Sequence, residues 1–153
     1  MEQRINYQKT AQKALKGMYE IEKYIANSEL ETPLVELVKL RASQINGCAY
    51  CIDKHTKEAR QAGETEQRLY TLNVWRETSF FSDRERAALR WTEALTRISE
   101  TDVSDELYES VRKYFAESDL IALTMVIIAI NGWNRLTISF RNIPGSYKPE
   151  LVQ

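Results

Sequence analysis

Residues 32–55 read TPLVELVKLRASQINGCAYCIDKH, and this stretch decides the fold. Thr32-Pro33 is a helix start, a capping hydroxyl followed by proline at the first helical position. Leu34, Leu37, Val38, Ala42 and Ile45 then recur at helical spacing, and Gly47 is the usual stop after such a run. A second helix opens at Cys48-Ala49-Tyr50-Cys51 and lasts until Ala62-Gly63. The stretch predicts two helices joined by one glycine, with a dithiol at the joint.

The same signals recur on both sides. An earlier helix covers Tyr7 to Ala26, with Ala11, Leu15, Met18 or Tyr19, and Ile25 along one side. Thr65 caps a short helix through Trp75. Ser82-Asp83-Arg84-Glu85 has capping-box spacing and opens a helix carrying Ala88, Trp91, Leu95 and Ile98. Ser104 and Ser118 start two more, the last a long apolar helix through Phe140. The tail Ile143-Pro144-Gly145-Ser146-Tyr147 reads as irregular. With 5 Gly, 3 Pro and no strand-length alternation, the prediction is an all-α single domain over residues 1–153, built from six or seven helices.

A chain of 153 residues can bury a core without metal or disulfide staples. Its 21 Lys and Arg balance 22 Asp and Glu, which leaves no electrostatic reason to expect nucleic acid or an acidic membrane as partner. No apolar segment of signal-peptide type follows Arg4. The run Leu120 to Ile130 is about half the ~20 residues that a membrane span needs. We therefore expect a cytoplasmic protein, in whose reducing surroundings a Cys-x-x-Cys serves chemistry more often than bracing.

Cys48 and Cys51 are the only cysteines and His55 the only histidine. A disulfide across two intervening residues restricts the unfolded chain very little, so its use would be redox. At ~100° per residue, Cys51 lies about 60° from Cys48 on the helix and His55 about 40° beyond Cys51. All three share one face. With Gly47 ending the preceding helix, Cys48 falls at or near an N-cap and Cys51 in the first turn, where unpaired N–H groups favour a thiolate. His55 adds a base within reach of Cys51. Glu36 lies 11 residues before Gly47 and His55 lies 8 after it, so an antiparallel hairpin brings them to similar heights.

Plainer readings exist for each residue. The cysteines could be two small buried hydrophobes, His55 could pair with Glu58 at i+3, and Glu36 could be an ordinary first-turn glutamate. Cys-x-x-Cys-x-x-x-His offers three zinc ligands, but a carboxylate would have to complete the set, and we expect neither metal nor cofactor. Tyr50 reads as a structural or surface aromatic, and Trp75, Trp91 and Trp133 as core or subunit contacts. Asn134 and Arg135 interrupt an apolar helix and must find partners or face a pocket or interface.

Taken together, Glu36, the run Arg41 to Cys51 and His55 resemble the signature of the carboxymuconolactone decarboxylase superfamily, in its alkylhydroperoxidase D-like branch. The segments Glu64 to Glu77, Phe81 to Thr96 and Asn131 to Arg135 also resemble this family. The resemblance implies the all-α alkylhydroperoxidase D-like fold, assembled as a trimer or a hexamer of dimers. It implies that Cys51 attacks a peroxide to give a sulfenic acid, which Cys48 resolves to a disulfide. Glu36 and His55 would relay the proton through a bound water, and an external dithiol, carried in the better-studied enzymes by a lipoyl-bearing protein, would close the cycle. Those enzymes carry a second histidine where this chain has Tyr50. A redox sensor or general disulfide reductase is the alternative within the resemblance. The family's cofactor-free lactone decarboxylases generally lack the cysteine pair.

Overall fold

The computed structural model describes residues 2–149. Among these, eight α-helices and one 3-10 segment form in the order α1 (Tyr7–Thr10), α2 (Gln12–Ala26), α3 (Thr32–Asn46), α4 (Ala49–Gln61) and α5 (Glu66–Thr71). The 3-10 segment Leu72–Glu77 follows, then α6 (Asp83–Thr96), α7 (Asp105–Arg112) and α8 (Glu117–Phe140). No strand occurs among the described residues. The predicted all-α architecture is present, with one helix more than the upper expectation.

The extra helix comes from a break at Ala11, whose backbone (φ −131°, ψ 42°) is not helical. Asn6 caps α1 by accepting from the Lys9 N–H at 3.1 Å. Buried Tyr7 stacks on Phe140 at 5.6 Å and its hydroxyl accepts from Asn142 Nδ2. Docking against the end of α8 thus sets α1 apart from α2, which no glycine or proline announces.

Helix α3 is the hub. Its residues from Leu34 to Ser43 are all buried, the polar ones included. It packs against α4, α6 and α8, with the main apolar core between α2, α3, α6, α7 and α8. A second core holds Leu37, Leu40, Ala59, Leu72, Trp75 and Leu89 beneath α5 and the 3-10 segment. A helix buried all round must pair its charges, because an isolated charge in an apolar setting is prohibitive. Arg41 Nε meets Glu93 at 2.8 Å, Lys39 Nζ meets Glu22 at 2.7 Å, and Glu36 meets His55.

Several helix ends follow the sequence. Gly47 is left-handed (φ 67°, ψ 33°) and Cys48 N–H returns to the Ser43 carbonyl at 3.0 Å. Ser82 and Glu85 form the full capping box, while Thr65 and Ser104 cap their helices. Other boundaries differ. Thr32 is itself the first helical residue of α3, and the capping position is taken by Glu31, without a side-chain bond. Helix α8 begins one residue before Ser118, behind uncapped Ala116. The helix after Thr65 tightens to 3-10 geometry at Leu72 and continues to Glu77, with a kink at Val74. Ile98 lies beyond α6 and is exposed.

Helix α8, at 24 residues, is long and apolar enough to cross a membrane by length and composition. Much of it is committed to the core: Leu123, Val126, Ile127 and Ile130 are fully buried against α2, α3 and α6. The tail after α8 is irregular as predicted but tied down. Gly145 N–H donates to Asp53, Lys57 donates to the Tyr147 carbonyl, and the Tyr147 hydroxyl donates to Glu58.

Candidate active site

Cys48 is the N-cap of α4, and its Sγ accepts from the Cys51 N–H at 3.3 Å. The two sulfurs lie at disulfide-bonding distance, with Cα atoms 5.3 Å apart, which suits a bridge between i and i+3 in a first helical turn. Both cysteines are buried in a small apolar cluster with Ala42 and Ile130, flanked by Tyr50 and Trp133.

One turn further along α4, His55 Nδ1 lies 2.8 Å from Glu36 Oε2 across the α3–α4 hairpin, and both residues are buried. The geometric expectation of Glu36 beside His55 is met. Glu58 is engaged by Lys54 and Tyr147 rather than by His55. Burial holds the His55 imidazole below its ordinary value, and the hydrogen bond and charge of Glu36 offset this only in part. Burial pushes the Glu36 carboxyl up, but the hydrogen bond and electrostatic attraction of His55, with nearby Lys39 and Lys54, outweigh it, so Glu36 titrates below its ordinary value. At neutral pH the pair is a neutral imidazole and a carboxylate. Nδ1 then carries the proton that Glu36 accepts, leaving Nε2 as the free base.

Glu36, Cys51 and His55 line one cavity of about 510 Å³ together with Lys39, Lys54, Trp133 and Thr137. Its wall is braced by Trp133 Nε1, which donates to Glu22 at 2.9 Å while Glu22 also pairs with Lys39. Tyr147 closes a side of it from the tail, stacked under Lys54 Nζ at 3.7 Å. Among the described residues no group of three His, Cys, Asp or Glu side chains is arranged to hold a metal ion.

Thr137 is a candidate site residue that sequence reasoning missed. Its Oγ1 lies 2.9 Å from Cys48 Sγ and 3.1 Å from Cys51 Sγ, and it also reaches the Trp133 carbonyl at 2.9 Å. It stands three residues after Asn134 on α8, where a threonine in an apolar helix carries no local signal of its contact with the sulfurs. Asn134 is fully buried and structural: it accepts from Asn46 Nδ2 at 2.8 Å and donates to Ser43 Oγ at 3.1 Å. These bonds fix the end of α3, and hence the Gly47 turn, against α8. Arg135 is exposed and bonds back to Asn131. Trp75 and Trp91 are core residues with partnered ring N–H groups, on Glu93 and Thr124.

An all-helical domain with a dithiol at a helix N-cap and a carboxylate–imidazole pair in the adjoining cavity is a recognisable class. The sequence profile described as the Carboxymuconolactone decarboxylase family matches residues 9–94. The uncharacterized protein YdfG of Bacillus subtilis (strain 168) is 45% identical over 142 residues, 93% of this chain and 97% of that protein. The crystal structure of ATU0492 from Agrobacterium tumefaciens, a protein of unknown function provisionally described as antioxidant defence protein AhpD, matches with a TM-score of 0.90. It is 41% identical, over 95% of this chain and 100% of that one. An uncharacterized peroxidase-related protein from Ralstonia eutropha JMP134, described as an alkylhydroperoxidase AhpD core, shares the fold. Its TM-score is 0.79 at 16% identity, over 90% of this chain and 73% of that one. This chain belongs to the carboxymuconolactone decarboxylase family, in its alkylhydroperoxidase D-like branch.

Proposed function

We propose that this protein is a thiol-dependent peroxidase that reduces hydrogen peroxide or small organic hydroperoxides. The observation that carries the reading is the 2.8 Å contact of Glu36 with His55 in the cavity that Cys51 lines. His55 Nε2 takes the Cys51 proton, and Glu36 steadies the imidazolium that forms. The Cys51 thiolate attacks the terminal peroxide oxygen. The O–O bond breaks, the proton leaves with the alcohol or water, and Cys51 becomes a sulfenic acid. Cys48 then attacks that sulfur and releases water, giving the Cys48–Cys51 disulfide. An external dithiol, such as one on a lipoyl-bearing protein, restores both thiols. Such a cycle suits a reducing, cytoplasmic setting. We also infer a homo-oligomer, a trimer or a hexamer of dimers, which light scattering on the purified protein would measure.

The test is peroxide consumption with several dithiol donors, a lipoyl domain among them. Cys51→Ser should abolish turnover, whereas Cys48→Ser should allow sulfenate trapping with little turnover. Parental turnover in both variants would show the assignment to be wrong. The near-complete burial of both sulfurs favours one second reading, a redox-sensing module. On that reading, oxidation changes assembly or partner binding while peroxide consumption stays negligible.

A further inference from the structure

The dithiol stands between two cavities, and each reaches a different sulfur. The cavity with Glu36 and His55 is lined by Cys51 and not by Cys48. A second cavity, of about 530 Å³, is lined by Cys48 and not by Cys51, together with Gly47, Ala49, Ile138, Arg141 and Pro144. Tyr50 and Thr137 line both and form the partition. Arg141 supplies the second cavity's only formal charge and carries no ion pair among the described residues. It is also the single non-glycine residue with a positive φ (57°) among them, held there by the reversal that ends α8.

From this geometry we propose that the second cavity admits the reductant, and that reduction begins at Cys48. The inference rests on the redox reading above and adds to it the sulfur attacked and the route taken. Thiol–disulfide exchange is an in-line displacement, so a thiolate attacking one sulfur must come from the side away from the other. The cavity lined by Cys48 and not by Cys51 gives an incoming thiolate access to that sulfur alone, and attack there makes Cys51, beside His55, the leaving thiolate. The reductant thiolate bonds to Cys48 Sγ, the Cys48–Cys51 bond breaks, and Cys51 departs with the electron pair toward the cavity that holds His55. The second thiolate of the reductant then displaces Cys48 and closes the reductant's own disulfide. Two electrons and two protons pass from the dithiol to the two cysteines.

Cys48 is only 1% exposed, so a bulky redox protein cannot bring its own backbone to it. The occupant is a slender dithiol on an alkyl chain, which the Ala49, Ile138 and Pro144 surfaces suit. Arg141 draws the incoming thiolate and favours an anionic carrier over a cationic one.

The test uses the oxidised protein and two monothiols, anionic 2-mercaptoethanesulfonate and cationic cysteamine. Each reaction is quenched at short times with excess N-ethylmaleimide, and the peptide spanning both cysteines is fragmented in a mass spectrometer. The expected product carries the monothiol on Cys48 and the maleimide on Cys51. An adduct on Cys51, an even split, or loss of the disulfide with no adduct on Cys48 would overturn the proposal. At equal thiolate concentration the sulfonate should react faster. Arg141→Asn, which tolerates the left-handed backbone, should shrink that preference by roughly two- to fivefold, and Arg141→Lys should keep it. An unchanged preference in Arg141→Asn would remove Arg141 from the account. No peroxide is involved, so failed peroxide turnover leaves this experiment readable, and an adduct on Cys51 leaves the peroxidase assignment standing.

Discussion

His55 and Glu36 both titrate below their ordinary values, and this fixes the sign of the protein's response to acid. The unfolded chain binds a proton at His55 near the ordinary 6.5, while the folded protein resists it because the ring is buried. Stability is therefore full above that value and falls as pH drops through the lowered folded value. Glu36 adds a further loss below its ordinary 4.5. Urea midpoints measured from pH 7.5 to 5.5 should decline, and His55→Gln should flatten that decline. On the proposed mechanism, Glu36→Gln removes the one neighbour that raises the His55 pKa. The rate of Cys51 oxidation should then fall on the order of 100-fold, with its acid limb moved to lower pH. Stopped-flow pH profiles of the reduced protein would measure both effects. At this scale the cysteines, His55 and Glu36 could be named from spacing alone. Thr137 could not, because its tie to the sulfurs spans more than eighty residues of chain.

At the scale of elements, the junction of α3 and α4 positions everything else. Gly47 has open space around the position of a Cβ, so replacing it meets no clash, only the cost of the left-handed backbone. Gly47→Ala should cost about 1–2 kcal/mol. Thermal unfolding should register this as a loss of roughly 2–8 °C, and the Cys48 cap that starts α4 should loosen with it. Helix ends marked by strong local chemistry were legible: the Gly47 stop, the Ser82–Glu85 box, and the Thr65 and Ser104 caps. The break at Ala11 was not, since it answers to Tyr7 docking on Phe140 and Asn142. The α8 start fell one residue before the expected Ser118, because uncapped Ala116 leaves no side-chain signal at the boundary.

Across the whole molecule, the buried charges of α3 tie distant segments together. Glu93 on α6 receives Arg41 from α3 at 2.8 Å, Trp75 Nε1 at 2.9 Å and Arg76 at 2.6 Å. Burial pushes its carboxyl up, but these three donors outweigh that and hold it below the ordinary carboxylate value. Glu93→Ala leaves Arg41 charged and buried without its partner, and should cost about 3 kcal/mol. Denaturant unfolding would measure that loss, and Arg41→Met combined with it should recover part of the stability.

The sequence by itself determined the helical class, the hairpin at Gly47 and the shared face of Cys48, Cys51 and His55, because turn chemistry and a 3.6-residue period act over a few residues. Tertiary structure alone decided that α3 is buried all round, that Thr137 reaches both sulfurs, and that each sulfur opens on its own cavity. Those facts depend on which helix faces are pressed together, and packing between segments far apart in the chain leaves no local periodicity to read.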